Sequence, residues 1–142
     1  MKRSASAVWH GNLKTGNGTI SAPTGIFKDV PYSFASRFES APQTNPEELI
    51  AAAHAACFSM ALSVQIEKAG FKADSLATTA TVTLENVPEK GFTITASHLA
   101  LTAKIPGIDK AKFDEAAAAA KAGCPVSRLL NATITLETKL ES

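Results

Sequence analysis

Two cysteines, one tryptophan and three arginines are all that a chain of 142 residues carries of these types. So few cysteines exclude the disulfide-stapled scaffold of a small secreted domain. With His10, His54 and His98 scattered along the chain, Cys57 and Cys124 form no ligand-spaced cluster, and no metal is expected. A net charge of +1 gives no electrostatic reason for a nucleic-acid partner or a charged membrane surface. The early "MKRSASAVWHG" lacks an apolar run long enough for a signal peptide. The apolar stretch Thr44–Val64 is long enough to span a bilayer but contains Glu47, Glu48 and His54, so no membrane span is expected. A cytoplasmic location is the default expectation, and the sequons at Asn17 and Asn131 then carry no meaning. There is no G-x-S-x-G elbow, and "TGNGT" lacks the lysine of a phosphate cradle.

What the chain does have is alanine. The hydrophobic class reaches 45% and the charged class 19%, which suits one packed domain over residues 1–142. Alanine buries little area, so such a core favours close helix contacts, including contacts with a second subunit. "SASAVWH", "TISAPTGIF" and "YSFASRFES" read as three strands of an antiparallel meander, with Arg37 on the last. "APQTNP" opens a long helix. Thr44 or Asn45 caps it, Pro46 fits its first turn, and Glu47 and Glu48 complement its dipole. It runs to about Lys68, with Gly70 as its stop signal. Steps of three and four residues place Leu49, Ala53, Cys57, Met60 or Ala61, and Val64 on the face expected to be buried. "SLATTATVTLENV" and "FTITASHLALTAKI" form a hairpin across "PEKG". Asp109 caps a second helix ending at Gly123, "CPVSRLL" opens a short third, and "ATITLETKLE" is a last strand. Strands and helices are grouped, so the class is α+β with antiparallel sheets.

The chemistry rests with the thiols. Cys57, in the middle of an alanine-rich helix, packs as a small hydrophobe on the bland account. Cys124 precedes Pro125 at a helix start, where unpaired N–H groups favour a thiolate. Local physics alone therefore ranks Cys124 as the better nucleophile, against its bland role as a turn residue. Cys57 needs a positive neighbour from elsewhere. Arg37, on an otherwise apolar stretch, is the best candidate, and Arg128, one helical turn after Cys124, is its rival. Both also suit a plain surface position. Glu47 lies roughly 15 Å up a straight helix from Cys57, so it acts through an intermediary if at all. A bidentate pair with Arg37 is one such route, and dipole complementation is the other role open to it. His54 is three residues from Cys57 and reads as structural rather than as its base.

"TNPEELIAAAHAACFSMALS", "RFE" before it and "GCPVSRLL" after it together resemble the OsmC (osmotically inducible protein C) family, sister to the organic hydroperoxide resistance proteins. His54, where the sister group commonly has an aromatic residue, and the "EEL" that follows Pro46 are similar to the OsmC branch. The resemblance spans essentially the whole chain. It implies an OsmC-like α+β fold, with antiparallel sheets wrapped around long central helices in an intertwined homodimer. It also implies a thiol peroxidase that reduces organic hydroperoxides to alcohols in stress defence. Cys57 matches the peroxidatic cysteine and Cys124 the resolving one, which reverses the ranking from local physics. Arg37 matches the arginine beside the reactive thiol, and Glu47 the carboxylate that pairs with it. No bound cofactor is implied. The reductant is an external dithiol, and the sister group points to a dihydrolipoyl protein.

On this resemblance Arg37 lowers the Cys57 pKa, Cys57 becomes a sulfenic acid, and Cys124 condenses with it to a disulfide. Phe38, Phe58 and Met60 are expected to line an apolar entrance. Two alternatives stay open: a redox sensor or thiol–disulfide exchange protein without peroxide turnover, and a dimeric binding domain with inert thiols.

Overall fold

The computed structural model describes residues 1–141, and the chain divides between Leu49 and Ile50 into two compact units. In the first unit, β1 (Ser6–His10), β2 (Asn17–Ser21) and β3 (Val30–Ser33) form an antiparallel sheet in that order. Trp9, Gly18 and Tyr32 are paired across the three strands. The rings of Trp9 and Tyr32 meet with centroids 5.4 Å apart. A Cβ on Gly18 would fall 2.5 Å from the Tyr32 ring, so the glycine makes room for this stack.

The third strand is shorter than the alternation in "YSFASRFES" predicts. The chain turns at Ser33 into α1 (Phe34–Phe38), which places Arg37 on a helix and not on a strand. The reason is a reciprocal cap. Ser36 N–H donates to Ser33 Oγ at 3.1 Å, and Ser33 N–H donates to Ser36 Oγ at 3.0 Å. The alternating small and aromatic residues of this stretch fit either period, and the local cap decides between them. Ser36 Oγ also donates to Thr44 O at 2.8 Å, tying α1 to the segment that opens α2.

The long helix α2 (Pro46–Lys68) begins in the first unit and continues through the second. Glu48 N–H donates to Asn45 Oδ1 at 2.8 Å, so Asn45 is its cap. It ends before Gly70, whose φ of +85° suits glycine. By length and composition it is the one helix among the described residues apolar enough to cross a bilayer. Its buried side chains are His54, Phe58, Leu62 and Ile66. The expected buried face is thereby corrected in part: Ala53, Met60 and Val64 are exposed, while Cys57 and Ala61 sit half-buried against the core beside the true seam. Small apolar residues run around the whole helix, so periodicity carries little information. The bulky side chains at steps of four choose the face.

In the second unit, β4 (Ser75–Val87) and β5 (Gly91–Lys104) form the long antiparallel hairpin, with a register shift at Thr83/Leu84. The helices α3 (Lys110–Gly123) and α4 (Pro125–Leu129) follow, and β6 (Thr133–Glu141) completes the sheet in the order β4-β5-β6. Here the all-antiparallel expectation is corrected, because β6 pairs with β5 in parallel. The two helices supply the crossover that a parallel return requires. The core of this unit lies between the sheet and the helices. Phe58, Leu62 and Ile66 of α2 join Leu99, Leu101 and Ala103 of β5, and Phe113, Ala117 and Ala120 of α3. This core is also where Cys124 lies, with no exposed surface.

Candidate active site

A single residue, Cys124, closes α3 and opens α4. Its backbone is extended, with φ −60° and ψ 121°, and its N–H donates to Ala120 O at 2.9 Å. Pro125, at the first position of α4, prevents one continuous helix from forming. The corner aims the sulfur back at α2, where Cys57 Sγ lies 3.1 Å away. Both cysteines are free thiols. A separation of 67 positions in sequence thus becomes contact in space.

Two thiols this close share their protons unequally. Burial pushes the Cys57 thiol up, and hydrogen bonding with Cys124 adds to this, while the Val126 N–H pulls the other way. Burial also opposes charge on Cys124. There it is outweighed by the Ser127 N–H, the Cys57 thiol, the Ser127 hydroxyl and the Val126 N–H, so Cys124 is held below its ordinary value. Within the unit that holds both sulfurs, the negative charge therefore favours Cys124, as its place at a helix start predicts.

Arg37 and Glu47 meet within the first unit. The Arg37 guanidinium donates from Nη2 to Glu47 Oε1 at 2.7 Å and from Nε to Oε2 at 3.1 Å, a fork-to-fork pair. The guanidinium also lies 5.4 Å from the centroid of the Phe38 ring. The carboxylate is well covered, at 13% exposure, and the arginine is less so, at 36%. Among the described residues no three histidine, cysteine or acidic side chains converge as a metal ion would need.

A family model described as OsmC-like protein matches residues 39–139. The chain belongs to the OsmC family. It is 50% identical over 140 residues to the protein named Peroxiredoxin OsmC of Escherichia coli K12, covering 99% of this chain and 97% of that one. Among solved structures, an OsmC-like protein of unknown function from Vibrio cholerae superposes with a TM-score of 0.80. At 15% identity, over 98% of this chain and 99% of that one, it shows the OsmC fold alone. A second, described as an organic hydroperoxide resistance protein OsmC from Legionella pneumophila, is 25% identical with a TM-score of 0.68, over 98% of this chain and 97% of that one.

In this OsmC chain sequence reasoning missed two residues, Ser97 and Ser127, which flank His54. His54 Nε2 is 2.8 Å from Ser127 Oγ, and His54 Nδ1 is 2.7 Å from Ser97 Oγ. Burial keeps this imidazole below its ordinary pKa of 6.5, so it is neutral at pH 7. Ser127 was detectable, since it follows Cys124 by three residues at a helix start. Ser97 has no such signal, because only the β5 register brings it to His54. Phe58 does not line an entrance. It is wholly buried in the core, on the same seam of α2 as His54 and Leu62. Arg128 is exposed on α4.

Proposed function

We propose that the chain is a cysteine-based peroxidase that reduces organic hydroperoxides to alcohols. The observation that carries this is the 3.1 Å approach of Cys57 and Cys124, in a chain half identical to a protein named Peroxiredoxin OsmC. In the first step the Cys57 thiolate attacks one peroxide oxygen. The O–O bond breaks, the alkoxide leaves and takes a proton to become the alcohol, and Cys57 becomes a sulfenic acid. In the second step the Cys124 thiolate attacks the Cys57 sulfur, forming the disulfide. Hydroxide leaves and takes a proton to become water. An external dithiol then reduces the disulfide by exchange, and a dihydrolipoyl protein is the proposed donor.

The first step needs charge on Cys57, whereas the local hydrogen bonds favour Cys124. A cation brought to Cys57 reverses that balance, and Arg37, held in a fixed plane by Glu47, is proposed for this role. The protein is proposed to act in the cytoplasm, as a single OsmC-like domain that forms a homodimer. The exposed apolar side chains Met60 and Val64 on α2 support the dimer, because they are costly to leave in water.

The test is steady-state consumption of cumene hydroperoxide with dihydrolipoamide as reductant. The native chain is expected to turn over. Cys57→Ser is expected to lose turnover entirely, and Cys124→Ser to collect sulfinic acid at Cys57. A disulfide that forms stoichiometrically with no catalytic consumption of peroxide would instead mean a sensor.

A further inference from the structure

Arg37 stands on a helix of five residues, too short to be stable by itself in water. Much of what fixes α1 lies outside it. Ser36, next to Arg37, is buried, and its hydroxyl donates to Thr44 O at 2.8 Å. A helix leaves its last carbonyls without partners inside it, and that of Ser36 accepts from Asn45 Nδ2 at 3.2 Å. The other arm of the same amide, Asn45 Oδ1, accepts from Glu48 N–H at 2.8 Å. Asn45 itself is half-buried. Next to it, Thr44 forms an isolated bridge to Tyr32 of β3.

The Asn45 amide is thus engaged at both ends. Its oxygen caps α2, and its nitrogen holds α1 at the residue before Arg37. Glu47 follows Asn45 by two residues, in the first turn of α2. One side chain therefore sets the spacing of the two backbones that carry Arg37 and Glu47. Their fork-to-fork pair depends on that spacing. With its guanidinium open to water at 36% exposure, the pair is too weak to organise the backbones unaided. Capping alone does not call for asparagine, since serine and aspartate cap about as well. Only the amide offers, on two separate atoms, an acceptor for Glu48 and a donor for Ser36.

We propose that Asn45 is a positioning residue, which sets the Arg37 guanidinium for the peroxide step by holding α1 to the start of α2. This rests on the proposed role of Arg37 as the cation for Cys57. The neighbouring carboxylate does not compete for the arginine: Thr44 Oγ1 donates to Glu48 Oε2 at 3.0 Å, which leaves Glu47 as the partner of Arg37. Without the Asn45 donor, α1 keeps its Ser33–Ser36 cap but loses this tie, and the guanidinium spreads over more orientations.

The test separates the two ends of the amide. Asn45→Asp keeps the oxygen that caps α2 and removes the N–H that reaches Ser36. Asn45→Ser also caps, carries no charge, and is too short to reach the Ser36 carbonyl while capping. Both are expected to keep the native far-UV circular dichroism. Both are expected to lower kcat/KM for cumene hydroperoxide about three- to tenfold, the typical worth of one hydrogen bond. In an Arg37→Ala background neither is expected to lower it further, because the group they position is gone. A second readout needs no turnover. In a Cys124→Ser background Cys57 is the only thiol, and its ultraviolet thiolate absorbance gives its midpoint. Asn45→Ser and Arg37→Ala are each expected to raise that midpoint. A native kcat/KM with a native midpoint in Asn45→Ser overturns the inference, as does a loss of equal size with and without Arg37. Native rates in Arg37→Ala overturn the role of Arg37 and the inference with it. A native chain that consumes no peroxide instead overturns the peroxidase proposal, and the Cys57 midpoint still decides the role of Asn45.

Discussion

Cys57 Sγ and Cys124 Sγ stand 3.1 Å apart, with Cys57 on the side of a helix and Cys124 at the corner between two others. Closing a bond of about 2.05 Å from that distance needs only a small approach of the sulfurs. Oxidation is therefore expected to leave the far-UV circular dichroism unchanged. It also closes a loop spanning 67 positions, which in the chain-entropy picture stabilises the fold by about 4 kcal/mol. Urea denaturation of oxidised against reduced protein checks this, and an oxidised form less stable than the reduced one would refute it.

Arg37 and Glu47 form a pair whose guanidinium is open to solvent at 36% exposure, so its net worth to stability is small, about 0–1 kcal/mol. In the proposed mechanism its value lies in holding the guanidinium plane. Glu47→Gln and Arg37→Lys are expected to lower kcat/KM for cumene hydroperoxide by about ten- to a hundredfold, while the melting temperature moves by only a few degrees. Equal losses of activity and stability would count against this division.

His54 gives a pH signature. Its folded pKa lies below the ordinary value of 6.5, so below that pH the unfolded chain binds the extra proton more readily. The stability tied to the neutral ring is fully present above pH 6.5. It is lost as pH falls toward the folded pKa, with a slope of up to about 1.4 kcal/mol per pH unit. Urea midpoints between pH 7.5 and 5 measure this slope. His54→Gln is expected to flatten it.

The faces of α2 differ in what they tolerate. Leu62 is wholly buried, and Leu62→Ala is expected to cost about 2–5 kcal/mol, read from the urea midpoint. Met60 is 73% exposed in the single chain, so Met60→Glu is expected to leave the fold of each subunit intact. If the proposed homodimer covers this face, sedimentation of Met60→Glu will show a shift toward monomer. A dimer unaffected by that charge would place its interface elsewhere.

Much of this architecture is legible in the chain because local chemistry agrees with the final packing. Asn45, Pro46 and Gly70 bracket α2, and Asp109 caps α3, as their side chains and backbone freedom dictate. Arg37 was misplaced on a strand because "SFASRFE" satisfies an alternating pattern. The turn into α1 rests on a serine pair that composition does not distinguish from any other. The buried seam of α2 was hidden for another reason: alanine on every face leaves the bulky His54, Phe58 and Leu62 to decide, and only their neighbours show that they do. The parallel partner of β5 and the meeting of the two sulfurs are long-range facts. Nothing within a few residues of either cysteine encodes them, and only resemblance to the OsmC pattern anticipated the pair.

The residue that ends α3 and begins α4 leaves the sulfur no independent way to be aimed. Adding or removing one residue in the last turn of α3 would swing Cys124 by about 100° around the helix axis and part the two thiols. A change of length in the turn between β4 and β5, at residues 88–90, imposes no such rotation. Variation in length is therefore expected to collect at the hairpin tip and to be shut out of the corner.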